Sequence, residues 1–178
     1  MPVAEPTVIP TLGIEMEREA PPSELSMIVF SGDLDKVLAA FIIACGASAM
    51  DTPVTMFFTF WGLNVLRKEH APHTNGKTTL QRMFGMMMPH GPSHLALSHM
   101  NFAGVGPKLM SKAMSDQHVA PIEEMIATAR EQGVKFVACT MSMDVMGIRK
   151  EELIDDIEYA GAATYLAEAD EANLNLFI

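Results

Sequence analysis

From Val37 to Met50 the chain runs through 14 residues, VLAAFIIACGASAM, without a single charge. A helix this apolar on nearly every side must be covered around most of its circumference. It falls short of the about 20 residues that a membrane crossing requires, so the sequence predicts a buried helix over Leu34–Met50. The segments on either side fix what covers it. LSMIVF, Leu25 to Phe30, is a short apolar run bounded by SGD and reads as a buried strand, while TPVTMFFTFWG, β-branched and aromatic, reads as a second. Asp33 and Asp35 mark the helix start, because carboxylates suit the positive end of the helix dipole. Strand, helix and strand joined by short links form a βαβ unit, which implies a parallel sheet with a right-handed crossover.

Regular patterns return further along. PKLMSKAMSD and PIEEMIATAREQG predict two helices, each opened by proline and the second closed by glycine. VKFVAC predicts a third strand, MSMDVMG a short helix or turn, KEELIDD a helical turn, IEYAG a fourth strand, AATYLAEADEA a helix and LNLFI a fifth strand. The expected architecture is a single α/β domain over residues 24–178, a three-layer sandwich around a central, mainly parallel sheet of about five strands. Residues 1–23 carry five prolines and no periodicity; they read as an extended or disordered N-terminal arm. Residues 64–106 contain five of the six histidines, and seven of the 16 methionines lie between Met83 and Met114. The expectation there is a long loop that serves as a lid or a subunit contact.

Composition narrows the function. With 49% hydrophobic and 19% charged residues the chain is globular rather than disordered. A net charge of -10 repels nucleic-acid phosphates and anionic lipid heads, so neither is an expected partner. Eight of the 22 acidic residues fall between Glu151 and Glu171, on an expected solvated helical face. Two cysteines build no disulfide framework, and neither lies in a CxxC pair. The start, MPVAEPTVIP, has neither the basic residues nor the apolar block of a signal peptide. A reducing cytoplasm, in which thiols stay available, is the expected location.

Open parallel sheets bind ligands outside the carboxyl ends of their strands. SGDLD, FWGL and CTMSMD should meet there. Ser31, Gly32, Asp33, Trp61, Thr140 and Ser142 are therefore the substrate-binding candidates, although capping also accounts for Ser31 and Asp33. Cys139 is the catalytic candidate. Thr140 or Ser142 would cap the short helix that follows, and free N–H groups at a helix start lower a thiol's pKa and stabilise a thiolate. The alternative is a small apolar side chain ending a buried strand. Cys45 shares a helical stripe with Leu38, Phe41, Ile42 and Ala49 and reads as a core thiol, with pairing to Cys139 left open. His70, His73, His90, His94 and His99 have the softness, together with methionine, for Cu(I) or zinc, but their spacing matches no established site and exposed loop histidines are the simpler reading. NGKTT lacks the glycine that a phosphate-binding loop needs, since Ala71 stands there.

FVACTMSMDVMGI resembles the DsrE/DsrF-like sulfur-relay family, in particular its longer DsrE-like branch, some members of which carry a peroxiredoxin label. VFSGDLDKVLAAFIIACGASAMDTPVTMFFTFWGLNVLRK resembles the opening of that branch, and LSHMNFAGVGPKLM its middle segment. The resemblance covers residues 25–178. It implies a compact α/β domain with a mainly parallel sheet, often assembled into homo-oligomers. It also implies that Cys139 carries a persulfide and passes the outer sulfur to another protein's thiol. No second thiol is placed to complete a peroxidase cycle. The expected function is thus a sulfur carrier or sulfurtransferase that needs no cofactor, with sulfur donor and acceptor proteins or small sulfane-sulfur compounds as partners. The alternatives are a non-catalytic binding or scaffold subunit of a sulfur-relay assembly, and a metal-binding protein built on the histidine and methionine loop.

Overall fold

The structure, a computed structural model, describes residues 24–70 and 76–178. Its centre is a sheet of five parallel strands in the order β4-β3-β2-β1-β5. The strands are β1 (Leu25–Val29), β2 (Val54–Phe58), β3 (Lys135–Cys139), β4 (Glu158–Ala160) and β5 (Leu174–Phe177). The helices are α1 (Leu34–Ser48), α2 (Thr79–Met87), α3 (Val105–Asp116), α4 (Ile122–Glu131), α5 (Thr140–Met146) and α6 (Ala162–Glu171). The expected α/β class, with a mainly parallel sheet of about five strands, is what the structure shows.

Strand order dictates where the helices go. The steps from β1 to β4 all move one way across the sheet, so right-handed connections lie on one face. The step from β4 to β5 runs back across the whole sheet and carries its helix on the opposite face. Burial follows this division. On the front face Met27, Val29, Met56, Phe58, Phe136 and Ala138 join the buried side chains of α1, α4 and α5 in one core. On the back face Phe57, Val137 and Cys139 pack with Tyr165 of α6 in a second, smaller cluster. Alternate residues of β3 supply the two clusters, as strand pleating requires. Phe41 anchors the front core against Phe58 and Phe136, with ring centroids 6.3 and 5.7 Å away.

Residues 64–106 depart from the expected continuous loop. A 3₁₀ segment covers Phe60–Leu66, and α2 lies within the stretch. Thr78 Oγ1 accepts from the Gln81 N–H at 3.2 Å and Gln81 Oε1 accepts from the Thr78 N–H at 3.1 Å, a reciprocal cap that starts α2. Gln81 Nε2 also donates to the Asp144 carbonyl at 3.0 Å, which docks α2 on α5. None of the residues of α2 is buried; Leu80, Met83, Phe84 and Met87 recur at helical spacing, but only Phe84 packs partly against the core. His73 lies outside the described residues.

A buried ion network ties this stretch to the end of the domain. Arg67 and Glu152 are almost wholly buried and meet at 3.2 Å, and Lys77 pairs with the other oxygen of Glu152. Arg67 Nη1 donates to the Pro89 carbonyl at 3.2 Å. Burial would raise the Glu152 pKa, but hydrogen bonds from Lys77 and the Arg149 N–H, with the charges of Lys77 and Arg67, hold it below its ordinary value.

Candidate functional site at the carboxyl edge of the sheet

Cys139 is the last residue of β3 and occupies the N-cap position of α5. Its side chain is on the back face and 1% exposed, packed with Phe57, Val137 and Tyr165. The Tyr165 ring stacks on Phe57 with centroids 4.5 Å apart, and its hydroxyl accepts from Ser26 Oγ at 2.6 Å. Burial raises the Tyr165 pKa, so the phenol is neutral at ordinary pH. The thiol is thus enclosed by hydrocarbon and makes no capping hydrogen bond.

The expectation that Thr140 or Ser142 caps the short helix is corrected by these contacts. The helix begins at Thr140 itself, so neither hydroxyl stands at the cap. Thr140 Oγ1 donates to the Ala160 carbonyl at 3.4 Å and fastens α5 to β4. Ser142, fully buried, shares a hydrogen bond of 2.7 Å with Thr59 Oγ1 and fastens α5 to the end of β2. Both hydroxyls position the segment that carries Cys139.

Pairing of the two cysteines is excluded within one chain. Cys45 lies near the end of α1, on the front face, where it packs against the larger core. Because α1 runs back from the carboxyl edge, the two thiols sit on opposite faces and at opposite ends of the sheet. Cys45 Sγ donates to the Met125 carbonyl at 3.7 Å, and burial raises its pKa, which suits a structural thiol.

Ser31, Gly32, Asp33 and Trp61, by contrast, come together around a cavity of about 340 Å³ at the carboxyl ends of β1 and β2. Asp33 stands at the N-cap of α1 but does not cap it through its side chain. Its Oδ2 instead accepts from Ser31 Oγ at 3.0 Å and Lys36 Nζ at 2.7 Å. The neighbouring Asp35 is bound by the Ser98 N–H and hydroxyl at 2.8 and 2.6 Å; burial works to raise its pKa, but these bonds hold it below the ordinary value. Two close approaches build the wall. A side chain at Gly62 would place its Cβ 2.1 Å from the Val29 carbonyl oxygen, and one at Gly32 would stand 2.8 Å from the Trp61 carbonyl oxygen. Phe60, at φ 45°, adopts a backbone conformation that bulky residues rarely tolerate. Asn64 and Lys36 also line this cavity; both lie in the family-like stretch of the sequence, but neither was a candidate site residue.

Histidine geometry gives the metal-binding alternative little to work with. Among the described residues no three His, Cys, Asp or Glu side chains converge on a point that would hold an ion. His90 has a lowered pKa because burial and the nearby Arg67 charge disfavour its protonated form.

The model of the DsrE/DsrF/DrsH-like family matches residues 22–177. The chain belongs to this family. It is 53% identical over 153 residues to the uncharacterized protein YrkE of Bacillus subtilis (strain 168), covering 86% of this chain and 95% of that one. It is 36% identical over 159 residues to the sulfur carrier protein DsrE2 of Allochromatium vinosum, covering 87% of this chain and 98% of the other. Two solved structures share the fold. The protein of unknown function MTH1491 from Methanobacterium thermoautotrophicum has a TM-score of 0.53 at 12% identity, and the ychN protein from E. coli one of 0.50 at 11%. Each comparison covers 88% of this chain and 99% of the solved one. This DsrE-like chain therefore has the sulfur-relay family and the α/β fold that its sequence implied. Among the described residues no helix is long and apolar enough to cross a membrane.

Proposed function

We propose that this DsrE-like protein is a sulfur carrier that holds a persulfide on Cys139. The Cys139 thiolate attacks the outer sulfur of a donor persulfide; the new sulfur–sulfur bond forms as the donor's own breaks, and the donor leaves as a thiolate. An acceptor thiolate then takes the outer sulfur from Cys139 by the same exchange and returns it to the thiolate form. The observation that carries the reading is the position of Cys139 at the carboxyl edge of β3, beneath α6, in a chain related along nearly its whole length to a protein named a sulfur carrier. Since the thiol is closed off in the isolated fold, the exchange requires α6 to move aside. The weak hold on α6 supports this: Tyr165 is its one buried side chain.

A cytoplasmic setting and a homo-oligomeric assembly belong to the same reading. The latter is supported by the large apolar side chains left exposed on α2 and α3, among them Met86, Met87 and Leu109. Incubation with polysulfide followed by intact mass measurement tests the carrier assignment. Wild type and Cys45→Ser should gain one sulfur atom, and Cys139→Ser should not; a full gain in the Cys139 variant defeats the assignment.

The enclosure of Cys139 also favours a second reading, a relay-assembly subunit that binds ligand or partner without using its thiol. That reading expects no sulfur gain in the wild-type protein.

A further inference from the structure

Charge is divided unevenly along the chain. Residues 70–115 hold four lysines and arginines, five histidines and no carboxylate, whereas residues 151–178 hold eight carboxylates and no cation. Each stretch also leaves apolar side chains in solvent. Nearly all of α3 lies in the first, and it buries only Gly106. Val105 and Leu109, both more than half exposed, share a helical stripe with Lys112, and Lys108 flanks it. Lys112 Nζ reaches Asp116 at 3.4 Å with both ends exposed, a pair that holds it weakly. The second stretch includes α6 and β5, with a groove of about 390 Å³ between them on the back face. Ile28, Leu166, Ala169 and Phe177 make the groove apolar, and Asp170 stands at its rim. Lys135 neutralises Glu158 and Glu168, but Asp170 and Glu171 take part in no ion pair among the described residues. A single helix about 10 Å wide covers roughly half of five strands spaced about 4.8 Å apart, so the β5 side of the back face is left bare, with Phe177 exposed on it.

We propose that α3 of one copy of this chain lies in the groove between α6 and β5 of the next, a head-to-tail contact that also holds α6 over Cys139. This rests on the homo-oligomeric reading above and names its interface. Charge selects both the occupant and the direction. A two-fold pair built on either face sets like charges opposite one another, whereas joining the two unlike faces sets Lys108 and Lys112 against Asp170 and Glu171. An anionic bilayer would meet the same lysines, but its surface extends past them to the rest of a chain whose net charge is -10. Lengths agree as well. The 12 residues of α3 span about 18 Å and the 10 of α6 about 15 Å, at about 1.5 Å per residue. Tyr165 stands in the wall of the groove and packs with Cys139 in the back-face cluster. A seated α3 thus clamps, from outside, the one buried side chain by which α6 is held. Release of the neighbouring copy becomes a step in exposing the thiol.

Sedimentation velocity of the full-length chain, with alkylation of Cys139 on the same samples, tests the contact. Wild type should assemble at micromolar concentration. Lys108→Glu with Lys112→Glu, and separately Asp170→Lys with Glu171→Lys, should each weaken assembly roughly tenfold or more. All four positions are exposed, so the reversals leave the core intact. An equimolar mixture of the two variants should assemble again, because each reversed face then meets its opposite; damage to the fold would give no such rescue. Cys139 should label several-fold faster in either variant alone than in wild type or in the mixture, and Cys45 equally in all. A wild-type chain that stays monomeric up to about 100 µM overturns the proposal, as does assembly indifferent to both reversals or a mixture that stays dissociated. Equal Cys139 labelling in assembled and dissociated samples also overturns it. Assembly that responds to the reversals, without a sulfur gain from polysulfide, removes the carrier assignment alone. A sulfur gain with assembly indifferent to the reversals removes this interface alone.

Discussion

The front and back faces of this one sheet are built to different standards. On the front, α1 and α4 bury whole stripes of side chains, and α1 alone contributes Leu34, Val37, Leu38, Ala40, Phe41 and Ala44 to the core. On the back, a single ten-residue helix spans the return from one sheet edge to the other and buries one side chain. Parallel sheets are ordinarily covered on both faces. The contrast teaches that the two sides of β3 are packed unequally: Phe136 and Ala138 belong to the main core, while Cys139, one residue on, lies under the thinner cover. It also separates the two thiols, with Cys45 in the firmly packed half.

The strongest challenge to this contrast is a matched pair of aromatic truncations. Phe41→Ala should cost about 3–5 kcal/mol by urea denaturation, since it empties the centre of the front core. Tyr165→Ala on the back face should cost clearly less, while it speeds alkylation of Cys139 roughly tenfold or more by easing local opening. Equal costs would mean that the two faces are equally built. Next in size is Arg67→Met, which leaves Glu152 with one of its two cations, Lys77, and takes the donor from the Pro89 carbonyl; it should cost about 2–3 kcal/mol. The companion test is pH. Glu152 has its folded pKa below its ordinary value of 4.5. A depressed carboxylate contributes stability that is present above the unfolded value and is lost as pH falls through the folded one. Thermal midpoints should therefore drop below about pH 4.5 in wild type, and Glu152→Gln should flatten that acid limb. The smallest effect sharpens the back-face account. Ser26→Ala removes the hydrogen bond to Tyr165 and should cost about 1 kcal/mol, with a modest rise in Cys139 labelling and none in Cys45 labelling.

The strands and the helix α1 were legible because their signals are local, but α1 is covered on one side only, with Ile42 and Ile43 exposed on the other. LSMIVF and VKFVAC are apolar runs of strand length, and α1 is apolar nearly all round. The helix α2 carried readable signals, Thr78 with Gln81 three residues on and Leu80, Met83, Phe84 and Met87 at helical spacing, but the prolines, glycines and histidines around it read as loop. At the site, the strand-end rule located Ser31, Gly32, Asp33 and Trp61, which do share a cavity. Asn64 escaped because what sets it apart, a buried carboxamide oxygen with no hydrogen-bond partner, is a property of packing and not of spacing. The burial of Cys139 was equally hidden: position in β3 indicates which edge it occupies, but only the return of α6 across the back face encloses it. The hydroxyls of Thr140 and Ser142 resemble caps in sequence, yet the helix begins one residue too early for them to act as caps.

Access to Cys139 through movement of α6 is the claim on which the carrier mechanism depends. Its most direct test follows alkylation of Cys139 and backbone amide exchange on the same native sample. The account predicts that Cys139 labels at the rate at which the α6 amides exchange, well ahead of the central amides of β2 and β3. Labelling that keeps pace only with those central strands, and so with global unfolding, would contradict it.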